Sequence, residues 1–84
     1  MTADATTTTS ATLDVQGLSC PLPVLRANKA LRGMAPGATL AVLATDPAAV
    51  KDFAAFSRET GHELLSSTAE GEVFRFVLRR RGAP

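Results

Sequence analysis

The sequence predicts an α/β (α+β) fold of two layers, in which two helices cover one face of a four-stranded mixed sheet. The chain has 84 residues, which is enough for one domain with one hydrophobic core. Hydrophobic residues recur with the period of a strand or of a helix, in the order β-α-β-α-β-β. Each β-α-β crossover joins parallel strands and the last two strands form a hairpin, so the sheet is mixed.

The first strand and the first helix are predicted near the start of the chain. Residues 12–16 alternate polar and apolar side chains, with Leu13 and Val15 on one face, as in a half-buried strand. Residues 21–34 predict a helix, because apolar side chains recur there at helical spacing. Those side chains are Val24, Ala27, Leu31 and Met34. A Pro-Gly pair at residues 36–37 ends this helix.

A second strand and a second helix follow. Residues 38–45 are apolar nearly throughout, which indicates a strand covered on at least one face. Asp46 and Pro47 predict a helix start, because Asp caps free N–H groups and Pro removes a donor that had no partner. Gly61 is predicted to end the helix in the left-handed conformation. The buried face is predicted to carry Val50, Phe53, Ala54 and Ser57.

The last two strands predict the order of the sheet. Residues 62–68 and 72–80 form strands joined by a hairpin turn at residues 70–71. The fourth strand has apolar side chains on both faces, which suits an interior position. They are Phe74, Phe76 and Leu78 on one face, with Val73 and Val77 on the other. The third strand carries Ser and Thr and suits an edge, so the predicted strand order is 1-2-4-3.

The predicted single domain covers residues 12–81. Residues 1–11 are rich in Thr and Ala without an apolar period and predict a disordered tail, as do residues 82–84. The chain shows no signal-peptide pattern and has one cysteine, so we expect a reducing, cytoplasmic setting. No apolar run approaches the roughly 20 residues that span a membrane, so we expect no membrane contact.

Charge and ligand content argue against several functions. Nine basic and eight acidic residues give a net charge of +1, which does not favour a polyanionic partner. Arg75 and residues 79–81 are basic, but the chain has no Trp or Tyr to stack on bases, so we expect no direct contact with nucleic acid. One His and one Cys are too few for a zinc site, and we expect neither a metal nor a cofactor.

Cys20, the only cysteine, lies between the first strand and the first helix, in the segment GLSCPLP at residues 17–23. With Cys20 as the N-cap, Pro21 and Pro23 take the first and third helical positions and stiffen the turn. The positive end of the helix dipole then faces the sulfur and lowers the pKa of the thiol. A buried, inert cysteine is the common alternative. The strand-end position and the two prolines favour an exposed nucleophile.

Four segments occur in a recognisable order: LDVQGLSCPLP at 13–23, PG at 36–37, TDP at 45–47 and GHEL at 61–64. Over about residues 12–80 the chain therefore resembles the TusA (SirA-like) family of small sulfur-carrier proteins. The family fold is a two-layer sandwich of β-α-β-α-β-β order with strand order 1-2-4-3. This agrees with the fold predicted from the residues themselves.

The resemblance implies that Cys20 is the catalytic residue. It would accept sulfane sulfur as a persulfide from a cysteine desulfurase or rhodanese and pass it to a downstream acceptor protein. Family routes lead to tRNA thiolation, molybdoenzyme maturation and sulfur oxidation. Gly17, Pro21 and Pro23 match the turn that supports the cysteine. Each transfer needs one thiolate, and the sequence offers no convincing general base, so we expect a relay rather than a stand-alone catalyst.

Family members often dock the donor through basic residues of the first helix, where this chain has Lys29 and Arg32. A solvated helix face explains these two residues equally well. The chain departs from the family at three positions. Ser57 stands where some members have a second cysteine, Leu22 where some have a carboxylate, and Asn28 where a basic residue can occur.

Two other functions stay open at this point. The first is a non-catalytic interaction or regulatory module that uses the proline-rich turn and the first helix as a docking surface. The second is a redox sensor in which Cys20 forms a sulfenic acid or a mixed disulfide under peroxide. For a carrier that alternates between partners, we expect a monomer.

Overall fold

The structure, a computed structural model, describes residues 10–82 and confirms the predicted two-layer architecture. The four strands are β1 (Ala11–Asp14), β2 (Thr39–Ala44), β3 (Glu63–Glu70) and β4 (Val73–Arg79). The two helices are α1 (Leu22–Arg32) and α2 (Ala48–Thr60). The sheet order is β1-β2-β4-β3, as predicted, with β1 and β2 parallel and the other two pairs antiparallel.

Strand β4 occupies the interior position that its two apolar faces predict. It pairs on one side with β2, where Leu40 lies opposite Leu78, and on the other side with β3, where Leu64 lies opposite the same residue. Strand β3 is an edge strand whose side chains are mostly exposed, and its register shifts between Leu64 and Ser66. Charged residues and an irregular register along an edge strand are common protections against pairing with another chain.

The hydrophobic core lies between the helices and one face of the sheet. Phe53 of α2 stacks on Phe76 of β4, with ring centroids 4.6 Å apart, and both side chains are fully buried. Alternate residues of β2 and β4 face the helices, which is why the helix-facing positions of both strands are apolar. Other fully buried members of this core are Val15, Ala27, Leu31, Leu40, Val42 and Leu78.

Several predicted boundaries move by one or two residues. Strand β1 begins at Ala11, within the stretch predicted as a tail, because the Ser10 N–H donates to the Thr39 carbonyl at 2.9 Å and aligns the chain with β2. The tail prediction otherwise falls on residues 1–9, and these, like residues 83–84, lie outside the described range. The hairpin turn lies at residues 71–72 rather than 70–71, since Glu70 still pairs with Val73.

Helix α2 presents a different face to the sheet from the one predicted. Its buried residues are Ala49, Phe53 and Phe56, while the exposed fraction of Val50 is 43%. The prediction was therefore right for Phe53 and wrong for Val50, because the buried face is rotated by about one residue, or 100°, around the helix axis. Gly61 ends the helix at φ 84°, as predicted. Within the described residues, neither helix has the length and apolar content needed to cross a membrane.

Candidate functional site

The segment that leads from β1 to α1 is attached to the end of β2. The Val15 N–H donates to the Leu43 carbonyl at 2.8 Å, and the Gly17 N–H donates to Oγ1 of Thr45 at 2.9 Å. Gly17 has φ 85°, a left-handed conformation that L side chains rarely adopt. Glycine at this position therefore lets the chain turn from the strand towards Cys20.

Asp46 connects the turn that carries Cys20 to the start of α2. Its Oδ2 accepts a hydrogen bond from the Cys20 N–H at 2.7 Å, and its Oδ1 accepts one from the Ala48 N–H at 3.0 Å. These two hydrogen bonds lower the pKa of the Asp46 carboxyl. The bond from Ala48 is the larger cause, and the bond from Cys20 is the second. Asp46 therefore accepts from a free N–H group at the start of α2, as predicted, although Pro47 rather than Asp46 is the N-cap residue.

Cys20 lies one residue before the N-cap, not at it. Pro21 is the N-cap residue, with φ −100° and ψ 18°, and Pro23 is buried at the second helical position. The shift arises because the Leu22 N–H donates to the Ser19 carbonyl at 2.9 Å, which forms a separate turn around Cys20 before the helix begins. The thiol of Cys20 is free and exposed.

The electrostatic prediction for this thiol was wrong. The pKa of Cys20 is raised rather than lowered, chiefly by a hydrogen bond with the Asp52 carboxylate, then by desolvation and by the negative charges of Asp52 and Asp46. The ammonium group of Lys51 acts in the opposite direction and is the smaller influence. Carboxylates around the sulfur disfavour a further negative charge there. The free protein therefore holds Cys20 mainly as a thiol at neutral pH.

Asp52 is the residue of the site that sequence reasoning missed. It belongs to α2, 32 positions after Cys20, and no motif connects the two. The feature that could have identified Asp52 is the predicted topology of the sheet. Since β1 and β2 are parallel, α1 and α2 both begin at the same end of the sheet, and an early residue of α2 lies beside the turn before α1.

An open pocket of about 230 Å³ lies beside Cys20, between the two helices. Pro21 and Val24 line it on one side, and α2 lines it on the other. The α2 residues are Asp52, Ala55, Phe56 and Glu59. The pocket therefore combines apolar walls with two carboxylates, and it gives a partner's side chain a route to the sulfur.

The basic residues predicted to dock a partner lie away from the sulfur. Lys29 and Arg32 are exposed in the last turn of α1. Arg32 lies about 15 Å along the helix axis from the first residue of α1. Arg32 lines a second pocket that also contains Arg80 and Arg81. The structure thus places Gly17, Pro21 and Pro23 around Cys20 but does not bring Lys29 and Arg32 to it, and docking by these two stays a prediction.

His62 lies behind the second pocket and is buried. Its Nδ1 accepts a hydrogen bond from the Arg81 N–H at 3.0 Å. Desolvation, followed by the positive charges of Arg81 and Arg80, lowers the pKa of its imidazole. Among residues 10–82, no three His, Cys, Asp or Glu side chains are grouped in a way that would hold a metal ion.

Fold and site together define a class of protein: small two-layer domains that present one exposed thiol at a strand-to-helix turn. The family model described as "Sulfurtransferase TusA" matches residues 11–80. The chain belongs to this family. It is 53% identical over 68 residues to the sulfur carrier protein TusA of Allochromatium vinosum, a match that covers 81% of this chain and 90% of that protein.

A solved structure has the same fold. It is the crystal structure of a SirA-like protein from Desulfitobacterium hafniense, which matches with a TM-score of 0.75 at 23% sequence identity. The match covers 84% of this chain and 97% of the other. A protein whose sequence differs at most positions therefore shares this fold.

Proposed function

We propose that this protein is a sulfur carrier that holds sulfane sulfur as a persulfide on Cys20. The single observation that supports this most directly is the placement of the chain's one cysteine: exposed, and held at the turn by the bond from its backbone N–H to Asp46. Membership of the TusA family, and the name of the Allochromatium relative, support the same chemistry.

The reaction proposed is an exchange that needs no redox co-reactant. The Cys20 thiolate attacks the terminal sulfur of a donor persulfide, so that a new S–S bond forms at Cys20 as the donor's S–S bond breaks. The donor cysteine leaves as a thiolate and takes a proton, which balances the proton that Cys20 has lost. A second exchange passes the sulfur to the acceptor. The protein then acts as a relay rather than as a stand-alone catalyst.

The donor is proposed to be a cysteine desulfurase or a rhodanese, and the acceptor a protein of tRNA thiolation, molybdoenzyme maturation or sulfur oxidation. A cytoplasmic monomer suits this role, because one exposed thiol has to meet two different partners in turn. The redox-sensor alternative predicts a different product, a sulfenic acid or a mixed disulfide that forms under peroxide without any sulfur donor.

The test is mass spectrometry of the intact protein after incubation with a cysteine desulfurase and cysteine, without reductant. We expect a gain of one sulfur, about 32 Da, that dithiothreitol removes, as the exchange chemistry requires. Cys20→Ser should show no gain, and Ser57→Ala, a change on α2 outside the pocket wall, should gain sulfur like the wild type. Absence of the adduct with both desulfurase and rhodanese donors would contradict the proposal.

A second test separates sulfur carriage from binding alone. In a strain that lacks this protein, the wild type should restore the sulfur-dependent phenotype and Cys20→Ser should not. Full restoration by Cys20→Ser would favour an interaction module, since the turn and α1 would then be sufficient without the sulfur atom.

A further inference from the structure

The charges that surround Cys20 are mostly negative. Asp46 lies in the loop before α2, and Asp52 lies on α2 in the wall of the pocket. Glu59, two turns further along α2, lines the same pocket. Among residues 10–82, Lys51 is the one cation whose charge lowers the pKa of the thiol. This surrounding is unexpected for a carrier whose reactive form is itself an anion, because like charges repel.

We propose that Asp52 is a positioning residue that keeps Cys20 protonated in the free carrier, and that a cationic side chain of the sulfur donor releases the thiol by pairing with Asp52. The proposal rests on the proposed sulfur-carrier function. Its geometric basis is that the Asp52 carboxylate and the Cys20 thiol line one open pocket, where a partner's side chain can reach both. The Asp52 carboxylate is also the largest cause of the raised pKa of the Cys20 thiol, because a nearby carboxylate favours the protonated, neutral form of the sulfur.

The pocket indicates the chemistry of the donor group. Val24, Ala55 and Phe56 offer an apolar surface for the aliphatic stem of a lysine or arginine. The charged end of that side chain would meet Asp52, with Glu59 as a second carboxylate in the same pocket. The donor is thus expected to carry a lysine or arginine close to its persulfide.

The coupled step conserves atoms and electrons. When the donor's cation pairs with Asp52, the Cys20 proton passes to water and the thiolate attacks the terminal sulfur of the donor persulfide. The donor's S–S bond breaks, the Cys20 S–S bond forms, and the donor thiolate gains a proton from water. No oxidant or reductant is needed, and a thiol that has met no donor stays mainly protonated and reacts more slowly.

Charged thiol reagents test, without any sulfur donor, whether Asp52 keeps Cys20 protonated in the free protein. The rates of reaction of Cys20 with a cationic (trimethylammonium-ethyl) and an anionic (sulfonato-ethyl) methanethiosulfonate are compared, together with the pH midpoint of alkylation by neutral iodoacetamide. One charge at about 4 Å in a water-like dielectric changes a population about fivefold. We therefore expect Asp52→Asn to react about fivefold faster with iodoacetamide at pH 7 and to lose about fivefold of its preference for the cationic reagent.

Two variants make this test specific. Asp52→Glu keeps the charge and should keep the preference for the cationic reagent. Glu63→Gln removes one negative charge at the opposite end of the sheet, where Glu63 pairs with Arg79, and should behave like the wild type. An Asp52→Asn protein with the wild-type pH midpoint and the wild-type reagent preference would overturn the proposal. Failure of persulfide loading would instead overturn the proposed function, since none of the three reagents transfers sulfane sulfur to Cys20.

Loading by a cysteine desulfurase tests the role of the donor's cation. Asp52→Asn should accept sulfur from the desulfurase more slowly than the wild type, although it reacts faster with iodoacetamide. These opposite changes are not expected from a residue that only supports the fold. Loading of Asp52→Asn at or above the wild-type rate would overturn the pairing of Asp52 with a donor cation.

Discussion

Replacing Phe53 by alanine tests the packing that places Asp52 and the pocket wall beside Cys20. Phe53 is fully buried, stacks on Phe76 at 4.6 Å between ring centroids, and meets Phe56 edge-on at 6.2 Å. Truncation of a buried Phe to Ala costs about 3–5 kcal/mol, because the transfer free energy is lost and a cavity remains. A domain of 84 residues has a free energy of unfolding of roughly 4–13 kcal/mol. Phe53→Ala is thus expected to remove a large part of the stability.

The assay is urea and thermal unfolding followed by circular dichroism. For a domain of this size, 1 kcal/mol shifts the thermal midpoint by about 4–8 °C, so Phe53→Ala should lower it by roughly 12–40 °C. Val50→Ala is the matched control on the same helix, because Val50 is exposed and its truncation should change stability by about 0.5 kcal/mol or less. Equal losses in the two variants would refute the observed orientation of α2, as would a loss below about 1 kcal/mol for Phe53→Ala.

Substitutions at Gly17, His62 and Asp46 test three further features of the structure. Gly17→Ala should lower the free energy of unfolding by about 1–2 kcal/mol, measured by chemical denaturation, because alanine is strained at φ 85°. No atom lies within 4 Å of the added Cβ, so the cost is backbone strain alone. Gly33→Ala, at φ −91°, is the control and should lower the free energy of unfolding by less. The lowered pKa of His62 means that the folded state resists its protonation, so the free energy of unfolding should decrease as the pH falls below about 6.5, the pKa of an unperturbed histidine. His62 is the only histidine, and a urea midpoint that decreases as steeply between pH 6.5 and 5 in His62→Gln would contradict this assignment. Asp46→Ala should speed hydrogen exchange of the Cys20 amide, measured by NMR, because its acceptor is lost; an unchanged rate would show that the bond contributes nothing to the turn.

The order of the strands could be predicted from the sequence because it depends on patterns that are averaged over many residues. Apolar side chains on both faces of residues 73–78 indicate a strand with neighbours on both sides, and the hairpin restricts what those neighbours are. The start of α1 and the inner face of α2 depend instead on single contacts. One hydrogen bond between Leu22 and Ser19 moves the helix start past Cys20, and a rotation of about one residue exchanges Val50 for Ala49.

The chemistry of Cys20 was harder to predict than its position, for a physical reason. The dipole at the start of α1 is a property of the local sequence, and it predicts a lowered pKa for a cysteine placed there. The carboxylates that oppose it come from a different part of the chain. Because β1 and β2 are parallel, the connection after β2 brings Asp46 and Asp52 to the same end of the sheet as the turn after β1. Local position alone therefore gives the wrong sign for the pKa shift of this thiol, because the charges at the start of α2 also act on the sulfur.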